Sequence, residues 1–283
     1  MIQGLTRTGL GDVGTDENFL NLAHRYGFRS VDLDPMGLVE RHGVAGTKEL
    51  LTSHDMLLGA VLLPVGWQTT EEQFLQGVTK LASSAELLAQ LGARCLWTYL
   101  LPSVDENPAL FMARTVRRLR LCAQVLEAFR LPLALEFIGP MDLRIKWKHP
   151  LLWNLHQTLE LIAAIDRPNV GLLVDSFHCH VAGHAASELL KLRPEQIVHA
   201  HLGDAREGNI ETIDDNDRLY PGEGHIDLEG FLRALKTLGY QGIVAQEVLS
   251  PRPVVDSAES LLERSRRGFD KVFAGAGLEK QGV

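Results

Sequence analysis

Four short apolar runs of this chain, all beyond residue 130, end on or next to residues able to ligate a metal ion. "PLALEF" carries Glu136, "NVGLLVD" ends on Asp175, "IVHAH" on His201 and "GIVAQE" on Glu247. Side chains alternate across a strand, so Ala134 and Glu136, or His199 and His201, share one face while Leu135 and Ala200 take the other. One imidazole and three carboxylates drawn from successive strands suit a hard or borderline divalent ion: Mn²⁺, Co²⁺, Mg²⁺ or Zn²⁺. Buried together without a cation, the three carboxylates would repel one another and some would take up protons. Any one of them alone reads more simply as a carboxylate that caps the next helix or pairs with an arginine. Four in succession read as a metal site.

Other polar residues fall close to these run ends. His178 follows Asp175 by three positions, at the start of a loop, within reach of a substrate oxygen. Arg218 stands just before the turn "YPGEG", near the end of the long segment after the seventh run. There its guanidinium would lie over the site and stabilise a developing oxyanion. Trp67, after "LLPVG", and Trp97, in "CLWTYL", read either as an apolar wall for a substrate or as core; Trp67 is taken as a substrate-binding candidate. Arg144, Lys146 and Lys148 belong to a basic loop, "GPMDLRIKWKHP", that faces either a substrate anion or solvent. His199 is expected one layer below His201, and His180 and His184 are expected to be structural or exposed. Cys179 reads as a small buried hydrophobe and not as a nucleophile.

The elements that must position these residues are eight short apolar runs: "IQGLT", "SVDLD", "LGAVLLP", "RCLWTYL", "PLALEFI", "NVGLLVD", "IVHAHLG" and "GIVAQEV". Between most of them lie stretches such as "DENFLNLAHRYG" and "LEGFLRALKTLG", with apolar residues three and four apart and a closing Gly that signals a helix end. In "HIDLEGF", Asp227 is positioned as a helix N-cap. Strands alternating with helices predict a parallel β/α protein. An open doubly wound sheet would carry a Gly-rich phosphate loop after its first strand, and "GLTRTGLGD" does not match GxGxxG. Strand count and the length of 283 residues favour an α/β fold of the closed (β/α)8 TIM-barrel type, a single domain over 1–283. In that fold the active site lies at the C-terminal ends of the strands, where the ligand-type residues sit.

Composition narrows the class further. With 28 Lys and Arg against 36 Asp and Glu the formal net charge is −8, and no basic stripe runs along the chain, which argues against nucleic acid as a partner. Cys95, Cys122 and Cys179 are odd in number and lack CxxC spacing, as expected of reduced thiols. "MIQGLTRTGLG" lacks the features of a secretory signal, and no apolar stretch reaches the length of a membrane span. A cytoplasmic protein without membrane partners is expected.

The segments "ALEFIG", "NVGLLVDSFHCH", "DRLYPGEGHIDL" and "ALKTLGYQGIVAQEV" resemble the xylose-isomerase-like TIM-barrel superfamily of sugar isomerases and epimerases. Its nearest group is the inosose isomerases (2-keto-myo-inositol isomerases) of inositol catabolism. The resemblance is strong from Leu133 to Pro251 and mostly topological over the first 130 residues. It implies one divalent ion held by Glu136, Asp175, His201 and Glu247, with His178 and Arg218 binding substrate. It also implies chemistry through a cis-enediolate of a keto-sugar or keto-cyclitol, with Glu136 and Glu247 as the metal-bound acid/base pair. A homodimer or homotetramer would be typical of such enzymes. On the same scaffold, a lyase or dehydratase would use the same enolate but expel a β-substituent, as in keto-glycoside elimination or dehydroshikimate-type dehydration. An endonuclease of this superfamily would need further ligands and a basic groove, and a non-catalytic binding barrel would be expected to have lost a ligand. The long basic loop after Glu136, and His225 within "PGEGHID", depart from the pattern of the relatives.

Overall fold

Each of the eight apolar runs forms a strand, and each strand is parallel to its neighbours. The computed structural model describes residues 1–251 and 255–278. The first four strands are β1 (Ile2–Leu5), β2 (Ser30–Val31), β3 (Leu57–Leu58 and Ala60–Leu62, interrupted at Gly59) and β4 (Cys95–Leu100). The others are β5 (Leu133–Phe137), β6 (Val170–Asp175), β7 (Ile197–Leu202) and β8 (Ile243–Gln246). β1 pairs with β2 on one side and β8 on the other, and the ladder then runs through β7, β6, β5 and β4. The two ends of this sheet are the two halves of β3, one on β2 and the other on β4, so the sheet curls into a nearly closed barrel. Gly59 marks the seam for a steric reason. A Cβ there would lie 2.1 Å from the Oδ1 of Asp32, whose carboxylate crosses to accept the Ala60 amide at 2.8 Å.

The helical stretches wrap the outside. They are α1 (Asp16–Arg25), α2 (Met36–Ser53), α3 (Glu71–Gln90) and α4 (Pro108–Glu127). After these come α5 (Leu155–Ile165), the short α6 (Ser176–Val181), α7 (Leu228–Leu238) and α8 (Ala258–Gly275). Thr15, Thr70, Asn107, Asn154, Asp227 and Ser257 each accept an amide of the first turn that the helix itself leaves unpaired. α7 buries Leu228, Phe231, Leu232 and Leu235 along one stripe and ends at Gly239, whose φ of 83° is the left-handed conformation that the closing glycine foretold. Each such large side chain contributes about 1.5–3 kcal/mol when fully buried, so an aspartate in place of Leu232 would detach this helix.

Strand alternation produces two apolar regions. Outward residues such as Leu135, Leu172, Ala200 and Val244 join the helices in the main core. Inside the barrel, Ala60, Cys95, Ala134 and Leu173 form a small separate cluster. The inward positions above that plug carry the ligand-type residues. A further antiparallel pair, Ser103–Val104 with His149–Pro150, clasps the loop after β4 to the loop after β5.

Cys95, Cys122 and Cys179 are all free and buried. Burial pushes each thiol up, Cys122 to about 12 and the other two higher still. The native protein is therefore expected to consume almost no thiol reagent at neutral pH, and the unfolded chain three equivalents. A native thiol reacting as fast as those of the unfolded chain would contradict this packing. Among the described residues no helix is long and apolar enough to cross a membrane.

Candidate active site

Parallel registry brings the four strand-end residues together. His201 lies opposite Asp175 across the β6–β7 ladder, Glu136 opposite Leu173 on β6, and Glu247 two residues beyond Ala245, the β8 partner of His201. All four side chains are buried, and each offers one ligand atom within 4.8 Å of the others. His201 Nδ1 is 3.6 Å from both Glu136 Oε1 and Glu247 Oε2. Glu136 Oε1 and His201 Nδ1 are buried without a hydrogen-bond partner. Unpartnered buried polar atoms are costly. Two of them facing one another in a His and carboxylate set are what a divalent cation would satisfy, so the residues fit such an ion.

The back of His201 is fixed by Asp32, at the end of β2. Its Oδ2 is 3.2 Å from His201 Nε2 and 2.7 Å from His199 Nε2, which places His199 below His201 as expected. A proton on Nε2 donated to Asp32 leaves Nδ1 aimed at the carboxylates, the arrangement in which an outer carboxylate orients a ligating imidazole. Burial would lower the His201 pKa, but the charge of Glu247, the hydrogen bond to Asp32 and the nearby Glu136 carboxylate carry it well above the usual imidazole range. Asp32 is also buried, which opposes its charge, yet the two imidazoles hold its carboxyl below the ordinary range.

Arg218 closes the other side. Its Nη1 donates to Asp175 Oδ2 at 2.8 Å and to Glu247 Oε2 at 2.9 Å, and its Nη2 donates to Asp215 Oδ1 at 2.8 Å. His178 Nε2 lies 3.2 Å from the same Nη2. The guanidinium packs 4.5 Å from the Phe177 ring. Asp175 has a double role, because its Oδ1 caps α6 through the Phe177 amide at 2.6 Å while Oδ2 faces Arg218. The two glutamates differ in charge environment. Burial raises the Glu136 carboxyl, whereas at Glu247 the charges of His201 and Arg218 outweigh burial and hold the carboxyl down.

These groups form the polar floor of a cavity of about 330 Å³ at the C-terminal end of the barrel, with Glu136, His178, Asp215, Arg218 and Glu247 in its lining. The family model of the xylose isomerase-like TIM barrel matches residues 20–270, nearly the whole of this barrel. The chain belongs to that family. Among its relatives, an inosose isomerase of Bacillus velezensis is 24% identical over 263 residues, covering 90% of this chain and 91% of that protein. A xylose isomerase domain protein from Alicyclobacillus acidocaldarius superposes with a TM-score of 0.92 at 35% identity, over 98% of this chain and 99% of that one. The IOLI protein, solved with a bound zinc atom, has the same fold, with a TM-score of 0.82 at 22% identity over 97% and 98% of the two chains.

Within this xylose isomerase-like barrel, not every candidate reaches the cavity. Trp67 is only 4% exposed: its Nε1 donates to Thr98 Oγ1 at 2.9 Å and its ring packs against Phe111, so it belongs to the core and not to the pocket. The turn after β3 folds it back behind the wall. Trp97 is the tryptophan of this pair that lines the cavity, with its ring 5.8 Å from His201. Arg144 does not face a substrate either. It is buried against the Trp153 ring and donates to the carbonyls of Gly139 and Val181, holding its loop in place. Lys146 and Lys148 are exposed. His178 lies in α6, not in a loop. His180 is half-buried and its pKa is lowered by that burial, His184 accepts the Leu155 amide, and His225 is exposed.

Two carboxylates that matter to the geometry have no prominent spacing signal. Asp32 could have been found by the parity rule, since it shares a face with Ser30 in "SVDLD". Asp204, just past β7, accepts four amides, those of Ala205, Gly222, Gly224 and Ile226, at 2.8–3.0 Å. Its own backbone pairs with Leu219, so this one residue anchors the long segment that delivers Arg218.

Proposed function

We propose that the protein is a divalent-metal-dependent isomerase or epimerase of an α-hydroxyketone of the keto-sugar or keto-cyclitol class, working through an enediolate. One observation carries this reading: four buried ligand-type side chains converge, with Glu136 Oε1 and His201 Nδ1 left without partners. Glu136, Asp175, His201 and Glu247 would hold the ion, and Asp32 would orient His201. When bound, a divalent ion polarises the substrate carbonyl and acidifies the adjacent C–H.

The remaining steps belong to the protein. Glu136 and Glu247 come from β5 and β8, which are not adjacent in the barrel, and His201 stands between them at 3.6 Å from each. A substrate carbon held over this floor lies between two carboxyl groups, one to take the proton and the other to return it. Return to the opposite face of the same carbon inverts it. Return to the neighbouring carbon moves the carbonyl. Arg218, kept charged by three carboxylates, and His178 line the same cavity and hold the oxygens on which negative charge develops.

Proton NMR in D₂O tests this with Mg²⁺- or Zn²⁺-loaded protein against scyllo-inosose and a panel of ketohexoses. The expected result is metal-dependent deuterium entry α to the carbonyl, with an isomeric product. Loss of a β-substituent from a keto-glycoside would instead assign the protein to the lyases, and exchange at the same rate without metal would overturn the reading.

A further inference from the structure

The charged groups of the cavity gather around the ligand-type residues, and the rest of its lining is aliphatic and aromatic. Trp97 and Tyr99 point inward from alternate positions of β4, Leu101 follows that strand, Leu143 and Trp147 come from the loop after β5, and Leu249 follows β8. No serine, threonine, asparagine, glutamine or lysine is among the described residues that line this cavity. Its hydrogen-bonding side chains are the five of the floor, together with the Tyr99 hydroxyl and the indole N–H groups of the two tryptophans.

This wall is held in a fixed shape. Ser103 is fully buried. Its hydroxyl donates to the Leu143 carbonyl at 2.6 Å and accepts the Trp147 amide at 3.3 Å. The Leu151 amide donates to the Pro102 carbonyl at 2.7 Å, the Lys148 amide donates to Asp105 at 3.2 Å, and the antiparallel pair locks Ser103–Val104 onto His149–Pro150. With Arg144 pinned to the Gly139 and Val181 carbonyls, the basic loop presents Leu143 and Trp147 to the cavity. Of its charges, Arg144 stacks on Trp153, and the Lys146 ammonium lies 4.9 Å from the Trp147 ring.

Such a lining selects among α-hydroxyketones. A cyclitol such as scyllo-inosose carries equatorial hydroxyls around its whole rim. With one edge on the floor, the other edge would find only the Tyr99 hydroxyl and the two indole N–H groups as side-chain partners among leucine and aromatic carbons, and a hydroxyl set against those carbons without a partner loses binding. A flat apolar group in that place packs on the leucine side chains and aromatic ring faces and asks for no hydrogen bond.

We infer that Trp97, Tyr99, Leu143 and Trp147 form a subsite for a flat apolar substituent, so that the substrate is an α-hydroxyketone bearing an aryl group remote from the reacting carbons. An aryl 3-keto-glucoside that reacts at C3 and C4, on the side of the carbonyl away from its anomeric substituent, has this chemistry. The inference rests on the proposed function only for the identity of the reacting end.

The test compares phenyl and methyl 3-keto-glucopyranosides with scyllo-inosose on the metal-loaded protein. It follows solvent-deuterium exchange or turnover and, independently of turnover, binding by saturation-transfer NMR. Burying one phenyl ring is expected to favour the phenyl compound by about 10- to 100-fold in kcat/KM and in affinity. Saturation transfer should be strongest at the phenyl protons. Trp147→Ala, in a partly exposed loop, and Tyr99→Ala, at a side chain 41% exposed, should each shrink the phenyl-to-methyl ratio. Equal handling of phenyl, methyl and cyclitol compounds would overturn the subsite while leaving the isomerase reading intact. Phenyl-selective binding without exchange on any compound would support the subsite and overturn the isomerase reading. Absence of both would overturn both.

Discussion

Replacing either Glu136 or Glu247 by glutamine should lower kcat/KM by about 10²–10⁴-fold, the range expected for removing a positioned acid or base. Glutamine keeps the volume and two polar atoms, so the far-ultraviolet circular dichroism and the main core should be unchanged. The two variants are expected to differ in what they disturb. Glu136 is a desolvated carboxyl with one oxygen unpartnered, and its neutralisation removes charge that burial already opposes. Glu247 faces Arg218 at 2.9 Å and His201 at 3.6 Å, so its neutralisation also leaves cations less compensated. Glu247→Gln should therefore be the less stable of the two in the absence of metal, by urea unfolding in EDTA. Turnover within tenfold of wild type for either variant, on the true substrate, would rule out a two-glutamate mechanism.

Arg218→Met should produce the largest loss of stability of any single change in the site. The guanidinium is buried and neutralises Asp175, Glu247 and Asp215 at 2.8, 2.9 and 2.8 Å. Methionine fills much of the same space but leaves those carboxylates facing one another. Removing one member of a buried ionic group typically costs about 3–5 kcal/mol. A divalent ion held by the same carboxylates would restore part of that charge balance. The variant is thus expected to gain more stability from added Zn²⁺ or Mn²⁺ than the wild type gains, as read from urea midpoints with and without metal. Equal metal-induced shifts in the two proteins, or a loss below about 1 kcal/mol in EDTA, would show that Arg218 does not share its carboxylates with the ion.

How much of this was legible in the chain depends on the range over which each signal acts. Glu136, Asp175, His201 and Glu247 stand at or next to the ends of apolar runs, and strand parity is a local property, so their convergence followed once the barrel was inferred. Asp32 obeys the same parity, but β2 contains only Ser30–Val31, too short a run for alternation to stand out. Asp204 also sits at a strand end and has a ligand's residue type. It turns instead toward four backbone amides 1–22 positions away in sequence, which no local pattern discloses. Trp67 and Trp97 look alike in sequence, as aromatics near strand ends. Only the packing of α3 and α4 around Phe111 and Arg118 shows that the first belongs to the core, where its carbonyl accepts Arg118 at 2.7 Å. In the basic loop after Glu136 the lysines and arginine stood out in the sequence, as residues facing either a substrate anion or solvent. The structure brings the apolar Leu143 and Trp147 of that loop to the cavity, because Ser103 reaches the loop across 40 and 44 positions of chain.

The most direct test of the metal centre is equilibrium binding of Mn²⁺ to metal-free protein, followed by electron paramagnetic resonance of the free ion. It compares the wild type with an Asp175→Asn, His201→Ala double variant whose folding has been verified. One equivalent should bind to the wild type, and affinity in the variant should fall by at least about 100-fold. Stoichiometric binding to the variant with an unchanged Kd would place the ion elsewhere and contradict the assignment of these four residues.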